Sequence, residues 1–159
     1  MRKLLGAVAL AGMLLVPAAA NAQLTVGPMA AYHDDNVNFG IGGFADIAVP
    51  SLDPNLSIMP SVMFYFPDDP FSFWEVNGDV LYRFEVSPDT PVLPFAMAGL
   101  NIATAGIDGG PSNTDIGLNL GGGIGFRSES LSPFVGAKFE IQDGSSFVLF
   151  GGVGFTVGG

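Results

Sequence analysis

Seven charged residues give this chain its means of doing chemistry: Glu75, Asp79, Arg83, Asp115, Arg127, Lys138 and Glu140. Each lies where apolar and polar residues alternate, and each falls on the polar parity. A period of two is that of a β-strand, whose successive side chains point to opposite faces. The three basic residues that follow position 22 therefore share a face with carboxylates able to pair with them. Closed inside a narrow barrel, such a face makes a hydrogen-bonded ion network, because a buried charge persists only when it is paired. The same groups could line a proton or ion path, or supply a catalytic carboxylate. The pattern favours the structural network over either. Removing Arg83 or Lys138 is then expected to strand a buried carboxylate and cost about 3–5 kcal/mol.

The remaining reactive residues point to less. His33 is the only histidine, and Asp34 and Asp35 follow it. No G-x-S-x-G accompanies it, so it reads as a solvated turn residue. Asp34, Asp35, Asp68 and Asp69, with Asp108 and Asp143, offer oxygen ligands of the kind that suit Ca²⁺ or Mg²⁺. None has EF-hand spacing, so the expectation is a solvated acidic rim, with weak cation binding as the alternative and no metal centre. Gly121–Gly125 and Gly151–Gly154 contain neither G-x-G-x-x-G nor a Walker sequence and are not followed by a helix. They mark close packing or bends in a wall. Without cysteine there is no disulfide, thiolate metal site or acylation site. No cofactor is expected.

These residues need strands to position them. Alternation predicts strands near 24–33, 38–49, 56–67, 71–86, 91–105, 114–128, 132–142 and 145–157. In 114–128 Ile116, Leu118, Leu120, Ile124 and Phe126 fall on one parity, and Asp115, Asn119, Arg127 and four glycines on the other. Between strands lie short clusters of Pro, Gly, Asp, Asn and Ser, which form turns by fixing φ, allowing φ > 0 or bonding their own backbone. Short connections make neighbouring strands antiparallel, and an even count returns both termini to one end. The expected fold is all-β: a closed, antiparallel, up-and-down, eight-stranded transmembrane β-barrel spanning residues 23–159.

Residues 1–22 read as a signal peptide. Arg2 and Lys3 precede the apolar run Leu4–Val16, and Ala20-Asn21-Ala22 is a small-x-small site, so cleavage is expected before Gln23. Removal of this segment leaves three basic residues against fifteen acidic ones. A chain this acidic is a poor partner for nucleic acid, which rewards clustered Lys and Arg. High charge with few apolar residues would mean disorder, but apolar residues make up 48% here.

The non-polar parity separates a membrane barrel from a soluble one. It carries no charge in any strand, and its aromatics gather in two groups. Tyr32, Phe39, Phe66, Trp74 and Phe147 map to one set of strand ends. Tyr82, Phe84, Phe126 and Phe155 map to the other. An apolar band between two aromatic girdles is what a barrel in lipid shows. The polar parity also holds Phe44, Met59, Met63, Phe95 and Phe150 beside glycines. Side chains of this kind fill an eight-stranded interior. They would equally line the pocket of a soluble barrel that binds an apolar ligand.

Residues 23–159 resemble the small eight-stranded outer-membrane barrels grouped as OmpA-like or OmpX-like domains. The resemblance rests on the eight blocks and on Trp74–Phe84, Pro94–Asn101, Gly121–Phe126 and Pro133–Phe139. The last strand, Gly152-Val-Gly-Phe155-Thr-Val157, fits only loosely the closing strand that the barrel assembly machinery reads in such families, and Gly158 and Gly159 follow it. The resemblance implies a monomer in the outer membrane whose partners are outer-membrane lipids and that machinery. It further implies no enzymatic activity and a structural or surface-interaction role. The tethering role of longer relatives is not carried over. A narrow channel is the remaining alternative.

Overall fold

The computed structural model describes residues 23–34, 38–107, 109–127, 131–142 and 144–157. The expected signal peptide lies outside these residues. Within them the chain forms eight strands: β1 (Leu24–His33), β2 (Asn38–Ala48), β3 (Leu56–Tyr65), β4 (Phe71–Arg83), β5 (Val92–Ile107), β6 (Ser112–Phe126), β7 (Ser132–Ile141) and β8 (Ser145–Val157). Each pairs antiparallel with the next, and β8 closes on β1, which leaves no sheet edge. The end where β1 starts and β8 stops is called proximal below, and the other end distal.

Strand limits follow turn chemistry and register. β3 stops two residues short of Pro67, and β4 ends at Arg83, ahead of Pro88. The β5–β6 hairpin runs further than its sequence predicts, pairing out to Gly106 and Ser112. β7 joins β6 only from Leu118, opposite Ile141. Residues 112–117 therefore stand above β7 as a two-stranded ribbon. The stagger of a closed barrel makes such a step unavoidable.

The interior is packed with side chains. Phe44, Met59, Leu81, Phe95, Met97 and Phe150 belong to one buried apolar cluster. Inward glycines make room for its rings. A Cβ on Gly40 would sit 2.6 Å from the Tyr65 ring, and one on Gly136 would sit 2.5 Å from Phe150 Cζ. At mid-height the residual gap among Met29, Met63, Asn77, Lys138 and Phe150 is about 10 Å³, on the order of one water. The proximal third is different. A cavity of about 330 Å³ opens there between Phe44, Phe95, Phe134, Leu81 and Arg83.

The outer face is apolar and exposed. Leu100, Leu118, Phe139 and Leu149 all project from it at about half exposure or more. Tyr32, Phe39 and Phe66 lie exposed at the distal strand ends, with Trp74 and Phe147 partly covered beside them. Tyr82, Phe84, Phe126 and Phe155 lie exposed at the proximal ends.

Candidate functional site

The inward parity gathers polar side chains in the distal half of the barrel. β4 supplies Glu75, Asn77 and Asp79 on alternate positions, β7 supplies Lys138 and Glu140, and β5 and β6 supply Asn101 and Asn119. All seven are buried. Lys138 Nζ donates to Asn77 Oδ1 at 2.8 Å and pairs with Glu140 Oε1 at 2.6 Å. Asn119 Nδ2 donates to both Asn77 Oδ1 and Asp79 Oδ1 at 2.9 Å. Tyr65, at the distal end of β3, donates its hydroxyl to Glu75 Oε2 at 3.3 Å. Charges this deep are tolerated only where such bonds replace water.

His33 corrects the sequence reading. It is no solvated turn residue: it closes β1 on the inward parity at 3% exposure. Its Nε2 lies 3.6 Å from Glu140 Oε2 and 3.9 Å from Glu75 Oε1. Its ring meets Tyr65 and Phe73 edge-on, with centroids 5.6 and 5.7 Å away. These three rings roof the carboxylates on the distal side. Parity carried the signal, because His33 continues the series Thr25, Met29, Ala31. The Asp-Asp-Asn turn that follows it obscured that.

The other network candidates stand apart. Arg83 pairs with Asp46 over the intervening β3 and donates to Ser57 Oγ of that strand at 2.8 Å, all near the proximal mouth. Its side chain is 33% exposed and that of Asp46 17%, so it is not the deeply buried partner that its parity suggested. Asp115 is exposed on the β5–β6 ribbon above β7, where its carboxylate accepts from Asn113 Nδ2 at 2.8 Å. Arg127 is exposed beyond the end of β6. Parity placed Arg83 inward, but only the register showed where neighbours stop and the interior ends.

The acidic rim is dispersed. Asp34, Asp68 and Asp69 are exposed, while Asp35, Asp108 and Asp143 lie outside the described residues. Asp34 is committed to the fold, its Oδ1 accepting from Phe147 N at 2.8 Å. Among the described residues the acid and imidazole donors that converge are not these but His33, Glu75 and Glu140, whose ligating atoms lie within 4.8 Å of one another.

No family model matches the chain, and no curated protein sequence matches it either. Solved structures do. Neisserial surface protein A aligns with a TM-score of 0.65 at 17% identity, over 86% of this chain and 97% of that one. The fold is that of a small outer-membrane barrel. The N-terminal β-barrel domain of Pseudomonas aeruginosa OprF aligns at 0.64 and 17% identity, over 86% of this chain and all of that domain. Ail, the attachment invasion locus protein of Yersinia pestis, aligns at 0.51 and 14% identity, over 86% and 97% of the two chains. At these identities the likeness is one of architecture, and it places no side chain.

Proposed function

We propose that this chain is a non-enzymatic outer-membrane barrel, plugged by its own side chains, with a structural or surface-interaction role at its distal rim. The observation that carries this is the outer face. Aliphatic residues cover it between two levels of aromatics, and none of the outward positions within the two girdles bears a charge. In water so large an apolar surface would drive association, whereas in a bilayer it is the required exterior. The architecture shared with surface protein A, OprF and Ail supports the same reading.

The packed middle argues against a conduit, since its residual gap admits about one water. The distal connections, at 34–37, 66–70, 108–111 and 142–144, carry six aspartates and no Lys or Arg. Ail has been crystallised with the heparin analogue sucrose octasulfate. A rim like this one would repel such a polyanion, so the surface interaction proposed here is with cationic groups. The test is migration in SDS after extraction from the outer-membrane fraction. The unheated protein should run apart from the boiled one, as closed membrane barrels do. A soluble protein without that shift would contradict the proposal.

The proximal cavity supports a second reading, in which the barrel holds an apolar ligand. Its volume of about 330 Å³ and its Phe44, Phe95 and Phe134 lining fall at the small end of ligand sites. Lipid co-purifying in fixed stoichiometry, and lost on Phe95→Asp, would favour this reading.

A further inference from the structure

The geometry points to a buried site for a divalent first-row transition-metal ion, of the Zn²⁺ class, held by His33, Glu75 and Glu140 beneath the distal mouth. This goes beyond the role proposed above and does not depend on it.

Three observations converge on the site. The first is orientation. Each carboxylate has one oxygen held by a neighbour and the other facing the imidazole. Lys138 pairs with Glu140 Oε1 at 2.6 Å, leaving Oε2 toward His33 Nε2 at 3.6 Å. The Tyr65 hydroxyl donates to Glu75 Oε2 at 3.3 Å, leaving Oε1 toward the same nitrogen at 3.9 Å. Partners that hold the far side of a ligand are how proteins aim one at a metal.

The second is unmet valence. As carboxylates, Glu75 Oε1 and Glu140 Oε2 are fully buried oxygens that accept no hydrogen bond, although the two side chains and His33 lie close enough to share protons. Buried polar atoms are seldom left so, and each calls for an explanation. A cation between them is one that also accounts for their direction.

The third is charge. Glu75, Asp79 and Glu140 put three carboxylates in this volume against the single ammonium of Lys138. With all three ionised and His33 neutral, the excess is two negative charges, which is what one divalent ion supplies. Uncompensated charge in a dry interior is costly, and a metal in the site removes the imbalance.

The donor set selects the class of ion. Imidazole nitrogen with carboxylate oxygen suits Zn²⁺ and its neighbours, whereas Ca²⁺ and Mg²⁺ prefer oxygen alone. Metal–ligand bonds of about 2.0–2.2 Å place tetrahedral donors roughly 3.3 Å apart. The present separations from the imidazole, 3.6 and 3.9 Å, lie a little above this value, and all three donor atoms are within 4.8 Å of one another, so the side chains must draw together around the ion. Entry from the distal side passes a rim whose connections carry aspartates and no basic residue, which concentrates cations there.

The test uses the refolded full barrel in detergent, titrated with Zn²⁺ or Co²⁺ alone. Because His33 is the only histidine, its imidazole NMR signals report the site in the wild-type protein without substitution. One equivalent of Zn²⁺ should shift those signals in slow exchange, and Co²⁺ should broaden them and give visible absorption. Replacing His33→Ala or Glu75→Gln should weaken binding at least about 100-fold, since losing even a residue that merely orients a ligand costs about 10–100-fold. Tyr65→Phe should weaken it about 10-fold. Asp68→Asn with Asp69→Asn should leave it unchanged. Heat-shifted SDS migration confirms that each variant folds, and the wild-type titration stands if one does not. Absence of stoichiometric binding, binding that leaves the imidazole signals unmoved, or binding lost with Asp68 and Asp69 would each overturn the site. Neutralisation by protons alone would show itself as the first of these outcomes.

Discussion

At the distal end of the interior, His33, Glu75, Glu140 and Lys138 are buried beneath the rings of Tyr65 and Phe73. At the proximal end, Arg83 and Asp46 pair on the wall of a cavity of about 330 Å³. Both ends are written in the same period-two pattern, with charged groups on the inward parity. What differs is access to water. The distal groups have exchanged solvent for one another, so removing any one leaves its partner stranded. The proximal pair keeps part of its hydration and loses little when broken. Parity decides which residues enter a barrel, and depth along the strand decides what their pairing is worth.

Breaking the distal pair should have the largest effect. Lys138→Met leaves Glu75, Asp79 and Glu140 without their cation and should lower stability by about 3–5 kcal/mol, read as a fall in the urea unfolding midpoint. An unchanged midpoint would mean that the cluster is hydrated, and the contrast between the ends would vanish. Packing sharpens the same comparison. Gly40→Ala drives a methyl into the Tyr65 ring and should cost about 1–3 kcal/mol. Gly125→Ala, whose new Cβ would meet nothing nearer than 3.8 Å, should be neutral or stabilise by up to about 1 kcal/mol. If the two alanines behave alike, the interior is not denser at one end. Smallest is Arg83→Ala, expected to cost about 1 kcal/mol or less because its ion pair is partly exposed. That loss should shrink further in high salt, while the Lys138→Met loss should not.

Much of the fold was legible in the chain because a barrel obeys one local rule throughout. Alternation placed every strand within a few residues, and Pro- and Asp-rich clusters marked the turns. The site was legible only in part. Glu75, Asp79, Lys138 and Glu140 do meet, as their shared parity suggested. Asp115 and Arg127 do not, because parity cannot say where a neighbouring strand stops, and β7 stops short of Asp115. Arg83 found Asp46 two strands away, on the far side of β3, a pairing that needs the curvature of the sheet and not its alternation. His33 was missed because Asp34, Asp35 and Asn36 gave it the surroundings of a turn. Its place at the end of β1, opposite Val148 of β8, continues the inward parity of Met29 and Ala31, a signal those turn residues outweighed.

The central claim, that the outer face meets lipid, can be tested at a single residue. Trp74 is the only tryptophan, and it sits on the outward parity of β4 among the distal aromatics. In vesicles of brominated phospholipid its fluorescence should be quenched most by bromines near the headgroup end of the acyl chain and less by those at the bilayer centre. Emission untouched by bromines at every depth would place that face outside the membrane and contradict the account.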